Sequence, residues 1–147
     1  MSQNGEVHGD GQRLVLLATT TITGAVTAVV TTPITLLTGM MYLVMQAQMA
    51  VGTGGTSIQA WVQTSIDGGT TWIDVATFAF ANTPLRKVSA VNGYIAPAAQ
   101  AFTATDGTLA DNTIQQGVLG NRVRLKYTSV GTYSGGTTLT VNAIAKG

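Results

Sequence analysis

Five residues at fixed spacing, Ser65, Asp67, Gly69, Thr71 and Trp72 in "SIDGGTTW", are where this chain first invites a search for chemistry. A carboxylate among hydroxyls can serve as a base or ligate calcium, and an indole can stack on a sugar ring. The flanking elements favour another use. Alternating strands on both sides place Asp67 and Gly68 where a hairpin must turn, and an Asp-Gly pair tolerates the positive φ angles of such turns. The Asp67 carboxylate can accept hydrogen bonds from nearby backbone N–H groups, and Trp72 is then set to cover the hairpin. The expected role of Ser65, Asp67, Gly68, Gly69, Thr71 and Trp72 is therefore a structural turn.

Other reactive side chains are scattered. The chain lacks cysteine, which removes disulfides, thiolate metal sites and a cysteine nucleophile together. Its single histidine, His8, stands in the polar start "MSQNGEVHGDGQ" without an acid or hydroxyl spaced for a relay. Glu6, Asp10, Asp67, Asp74, Asp106 and Asp111 form no ladder of calcium ligands, although Asp67 and Asp74 could approach each other across one hairpin. "GTGGT" has no following Lys-Ser/Thr and opens no helix, so it reads as a flexible loop, not a phosphate cradle. Catalytic and metal-binding residues are thus expected to be absent, as are cofactors.

Two features point to contacts with partners. "RVRLKY" puts Arg122, Arg124 and Lys126 on one face of a strand, opposite Val123, Leu125 and Tyr127. Such a stripe can meet an acidic surface, stay solvated, or protect a sheet edge from wrong pairing. Trp61 shares a face with Gln59 and Gln63, where it would be either an exposed contact for sugar or protein, or buried under a second layer.

The elements that carry these residues read as β throughout. "YLVMQAQMAV" and "SIQAWVQTS" alternate cleanly, and "AVTAVVTT", "TTWIDVATFAFA" and "LRKVSAV" add further strands between turn signals. A long loop is expected from Asn92 to Asp106, and "NRVRLKYTSVG" with "TTLTVNAIAKG" is expected to close the chain as a hairpin. About eight to nine strands predict an all-β fold, an antiparallel β-sandwich of jelly-roll type. Residues 1–12 are expected to be a flexible or partner-docked arm, and residues 13–147 one domain.

Only 9% of the residues are charged, so Thr, Gln, Asn and Ser must make the solvent face, and a surface so poor in charge resists association weakly. The net charge of +1, without a basic run, argues against specific nucleic-acid binding. No stretch gives a clean apolar span for a membrane helix, and the start does not read as a secretory signal.

Ser65, Asp67, Gly69, Thr71 and Trp72 match the Asp-box, Ser-x-Asp-x-Gly-x-Thr-Trp. In sialidase-like propellers this box is a folding element at hairpins, generally away from the catalytic centre. One box in 147 residues is too little chain for a propeller. More broadly, "VQTSIDGGTTWIDVATFAF" and "NRVRLKYTSVGTYSGGTTLTVNAIAKG" resemble virion structural proteins of tailed bacteriophages. That resemblance implies a capsid decoration (cement) protein on the head surface, non-enzymatic, and oligomeric or lattice-bound. Its partners would be the major capsid protein or other virion subunits. A neck or tail subunit is the first alternative, and a carbohydrate-binding sandwich using Trp61 or Trp72 is the second.

Overall fold

Alternation of apolar and polar side chains builds two antiparallel sheets whose apolar faces meet. In the computed structural model residues 13–36, 39–96 and 101–147 are described, with side chains from residue 19 onward. The expected arm, residues 1–12, and His8 within it lie outside the described residues. The strands in chain order are β1 (Arg13–Thr21), β2 (Val26–Val30), β3 (Ile34–Thr35), β4 (Tyr42–Ala50), β5 (Thr53–Gly54), β6 (Ser57–Ser65), β7 (Ile73–Ala81), β8 (Leu85–Asn92), β9 (Arg122–Val130), β10 (Tyr133–Ser134) and β11 (Thr138–Lys146). Three of these have two residues each, which leaves eight strands of ordinary length and an all-β fold.

The first sheet runs β1-β11-β4-β8, and the second runs β2-β9-β6-β7 with β3 also on β9. Leu43, Met45, Ala47 and Met49 of β4 and Leu139, Val141, Ala143 and Ala145 of β11 point inward from the first sheet. Ile58, Ala60 and Val62 of β6, Phe78 and Phe80 of β7, and Val123 and Leu125 of β9 meet them from the second. One continuous core results, and its burial is the main force holding the sheets together.

The expected C-terminal hairpin does not form. β9 belongs to the second sheet and β11 to the first, so the chain between them crosses the sandwich. The link from β4 to β6, which contains "GTGGT", crosses beside it in the opposite direction. The crossings are fastened by the β5–β10 pairing of Tyr133 with Gly54 and Ser134 with Thr53. The glycine segment is thus part of an ordered corner. Tyr133 is buried there and donates its hydroxyl to the Ser57 carbonyl at 2.8 Å. Gly55 has φ +82°, and a Cβ on it would lie 1.8 Å from the Tyr133 ring, so only glycine fits.

Among the described residues, β6 and β7 are the only consecutive strands that pair with each other. Their register shifts between Val62 and Gln63, where Val62 faces Ala76 but Gln63 faces Asp74. Val75 is the extra residue of this bulge. It lets Asp74 share the outer face with Thr77, three positions on, where strict alternation would turn the carboxylate into the core.

Candidate functional site

The turn joining β6 to β7 closes on Asp67. Its Oδ1 accepts from the Ser65 hydroxyl (2.8 Å) and from the backbone N–H groups of Thr70 (3.1 Å) and Thr71 (2.9 Å). Its Oδ2 takes the Thr71 hydroxyl at 2.6 Å, and the Gly69 N–H reaches back to the Ser65 oxygen at 2.9 Å. The Thr71 hydroxyl, then the Thr71 N–H and the Ser65 hydroxyl, hold the Asp67 carboxyl down to about 2 from its ordinary 3.8. Gly68 and Gly69 adopt positive φ of 76° and 96°. A carboxylate engaged by four donors is committed to shaping the loop, as the spacing predicts.

Beyond this turn the outer face of the second sheet holds a larger polar cluster. Alternation carries Trp61 and Gln63 of β6, Thr77 of β7, and Arg124 and Lys126 of β9 to that face, and the bulge at Val75 adds Asp74. It is not open to solvent. Residues 101–116 return across it as a strap, so Trp61 is only 5% exposed and its indole N–H donates to the Leu109 carbonyl at 3.2 Å.

Asp74 anchors the strap. Its carboxylate accepts from the N–H groups of Gly107 (2.7 Å), Thr108 (3.0 Å) and Leu109 (3.1 Å) and from the Thr105 hydroxyl (2.8 Å). Successive backbone N–H groups folded around one anion form a nest, and Gly107 supplies the positive φ of 90° that this curvature needs. Gln63 uses both ends of its amide: Nε2 donates to Asp74 (2.8 Å) and Asp106 (2.6 Å), and Oε1 accepts from Arg124 Nε (2.7 Å). Lys126 Nζ donates to Asp106 Oδ1 at 2.5 Å, and an Arg124 nitrogen lies 3.7 Å from the same atom.

Burial pushes the Asp106 carboxyl up, but hydrogen bonds from Lys126 and Gln63 and the charges of Lys126 and Arg124 outweigh it and hold the group below its ordinary value. Burial draws the Arg124 guanidinium down, while Asp106 and Asp74 oppose that shift. The guanidinium also sits 4.3 Å from the centre of the Trp72 ring.

The strap closes the edge of the sandwich as well. Its Thr105 and Thr113 carbonyls accept the N–H groups of Asp74 and Thr77, and the Gln115 N–H donates to Val75. On the neighbouring edge the Gln116 side chain accepts the Asn92 N–H at 2.7 Å. The free side of β7 is thereby hydrogen-bonded without another strand.

Comparison with protein-family models, with curated proteins and with solved structures returned no match to this chain. The site must be read from its own geometry.

That geometry places the sequence candidates unevenly. The six turn residues come together as expected. Arg122, Arg124 and Lys126 do share one face, but β9 is an interior strand between β2 and β6, so the stripe does not protect an edge. Arg124 and Lys126 have side chains 14% and 13% exposed and are occupied by Asp106, while Arg122 donates to the Thr35 hydroxyl at 3.0 Å. Trp61 takes the buried alternative, under the strap instead of in solvent. Trp72 is likewise buried, and neither indole offers a bare ring to a sugar.

Asp67 and Asp74 do not cooperate. Each is satisfied by its own loop, and among the described residues no group of three or more His, Cys, Asp or Glu side chains could hold a metal ion. No helix of the described chain is long and apolar enough to cross a membrane. Gln63, Asp74 and Asp106 were the residues that spacing missed. A signal was present for the acids, since Asp74 is the one charged residue of the largely apolar "IDVATFAFA" and "TDG" at Thr105–Gly107 is a turn signature, whereas Gln63 falls in the ordinary polar alternation of β6.

Proposed function

We propose that this chain is a structural subunit of a bacteriophage virion, a decoration protein that binds the assembled head and stabilises it through noncovalent contacts. The observation that carries this reading is the closure of the polar cluster by the chain's own strap. Its acids, amide and cations are spent on one another, as suits a rigid binding body more than a reactive cleft. The resemblance of the β6–β7 and C-terminal segments to virion proteins supplies the partner. Binding the assembled shell and not its free subunits would stabilise the shell by mass action, without turnover.

Cryo-EM of purified particles tests the reading. Hundreds of copies distributed over the head are expected. A ring of about a dozen or fewer at one vertex would move the chain to the neck or tail, and absence from the particle would end the virion reading. Heads lacking the protein should also lose their contents at lower temperature than complete heads, and an unchanged release curve would count against a cementing role.

A further inference from the structure

The two sheets treat their outer faces differently. The second is roofed by residues 101–116, whereas the outer side of β4, β8 and β11 has no cover from the described chain. There Val44 (39% exposed), Ile144 (40%) and Val88 (71%) present apolar side chains. Val44 and Ile144 are direct cross-strand partners, and Val88 faces Gln46 on the other side of β4. These side chains border a shallow groove of about 320 Å³. Tyr42 extends the strip toward the sheet end, where its ring lies 6.0 Å from that of Tyr94.

Charge on this face has one sign. By strand parity the outward residues of β4, β8 and β11 include Arg86 and Lys146 and no acid. Arg86 pairs with Gln48 and Lys146 with Tyr42, so the two cations flank β4 from opposite sides and six residues apart along it. Strand spacing and rise put them about 20 Å from each other. These three strands, about nine residues long, cover about 440 Å². Flat docking would bury about 900 Å² over both partners, the size of a weak protein–protein contact.

We infer that this bare face of the first sheet is the docking surface, and that its occupant is a different protein presenting an apolar centre flanked by carboxylates about 20 Å apart. Stacking two copies face to face would oppose cations to cations, which disfavours a second copy of this chain. The inference rests on the virion reading for its partner, a subunit of the head shell.

The test uses full-length protein and head shells from the phage that encodes it, prepared without this protein. Val88→Asp alone, and Arg86→Glu with Lys146→Glu, should each weaken shell binding about ten-fold or more. Thr103→Glu, on the strap side, should bind as wild type does. A photo-crosslinker at position 88 should join the chain to the shell protein. If wild type binds and both face variants bind equally well, the face is wrong and the virion reading survives. Crosslinks from position 88 to another copy of this chain would replace the inference with self-association. If wild type does not bind shells at all, the virion reading fails and takes this partner with it.

Discussion

Asp67 shows how much one carboxylate can organise when its donors lie within six residues of it in sequence. The Ser65 and Thr71 hydroxyls and two backbone N–H groups converge on it, so its charged form is favoured in the fold over the open chain. A carboxyl held down to about 2 against 3.8 takes up protons more readily when unfolded, so its stabilisation is complete above about pH 4 and is lost as pH falls toward 2. Asp67→Asn should therefore flatten the acid limb of the melting temperature between pH 4 and pH 2, and at pH 7 should lower it by about 3–6 °C. Thermal melts across that pH range would check both, and parallel curves for variant and wild type would refute the role. This residue was readable in sequence because turn chemistry is local. Asp74 was not, because its donors in the strap stand 31 to 35 residues away and because the bulge at Val75 reverses the face that simple alternation assigns.

At the scale of elements, the strap is the part most dependent on a single anchor. Asp74→Ala would leave the Gly107, Thr108 and Leu109 N–H groups and one donor of Gln63 without a buried acceptor, at a cost of about 3–5 kcal/mol. Faster amide exchange across residues 105–109 and a red-shifted Trp61 emission should accompany it. A variant whose strap amides stay as protected as in wild type would show that β7 pairing alone holds the segment. The crossing corner makes a second case. Gly55→Ala sets a methyl into the Tyr133 ring at a positive φ and should cost about 3 kcal/mol or more, whereas Tyr133→Phe removes one hydrogen bond and should cost about 1 kcal/mol. Denaturant melts would rank them, and equal losses would contradict the packing argument. Strand identities were legible here from alternation, but partners were not: "NRVRLKYTSVG" and "TTLTVNAIAKG" look like a hairpin because nothing in either strand records which sheet it joins. The deciding information sits in the β5–β10 corner, whose two short strands leave no periodic signal.

At the scale of the whole molecule the two faces divide their labour: among the described residues one sheet is covered by its own chain and the other is not. Composition anticipated a charge-poor surface, yet it did not show that six of the ten charged side chains described, Asp74, Asp106, Asp111, Arg122, Arg124 and Lys126, gather on the roofed side. The same architecture bears on how the molecule assembles itself. With β6–β7 as the only pairing between consecutive strands among the described residues, nearly every other sheet contact must wait for distant segments to meet. Refolding should then be slow for this size, in the millisecond-to-second range, with the Asp67 turn formed in the rate-limiting barrier. Stopped-flow fluorescence of Asp67→Ala should show a reduced refolding rate and a nearly unchanged unfolding rate. The reverse partition would place that turn after the barrier. The hairpin first suspected of chemistry would thus act in time instead, as the local event on which the remaining strands depend for their registration.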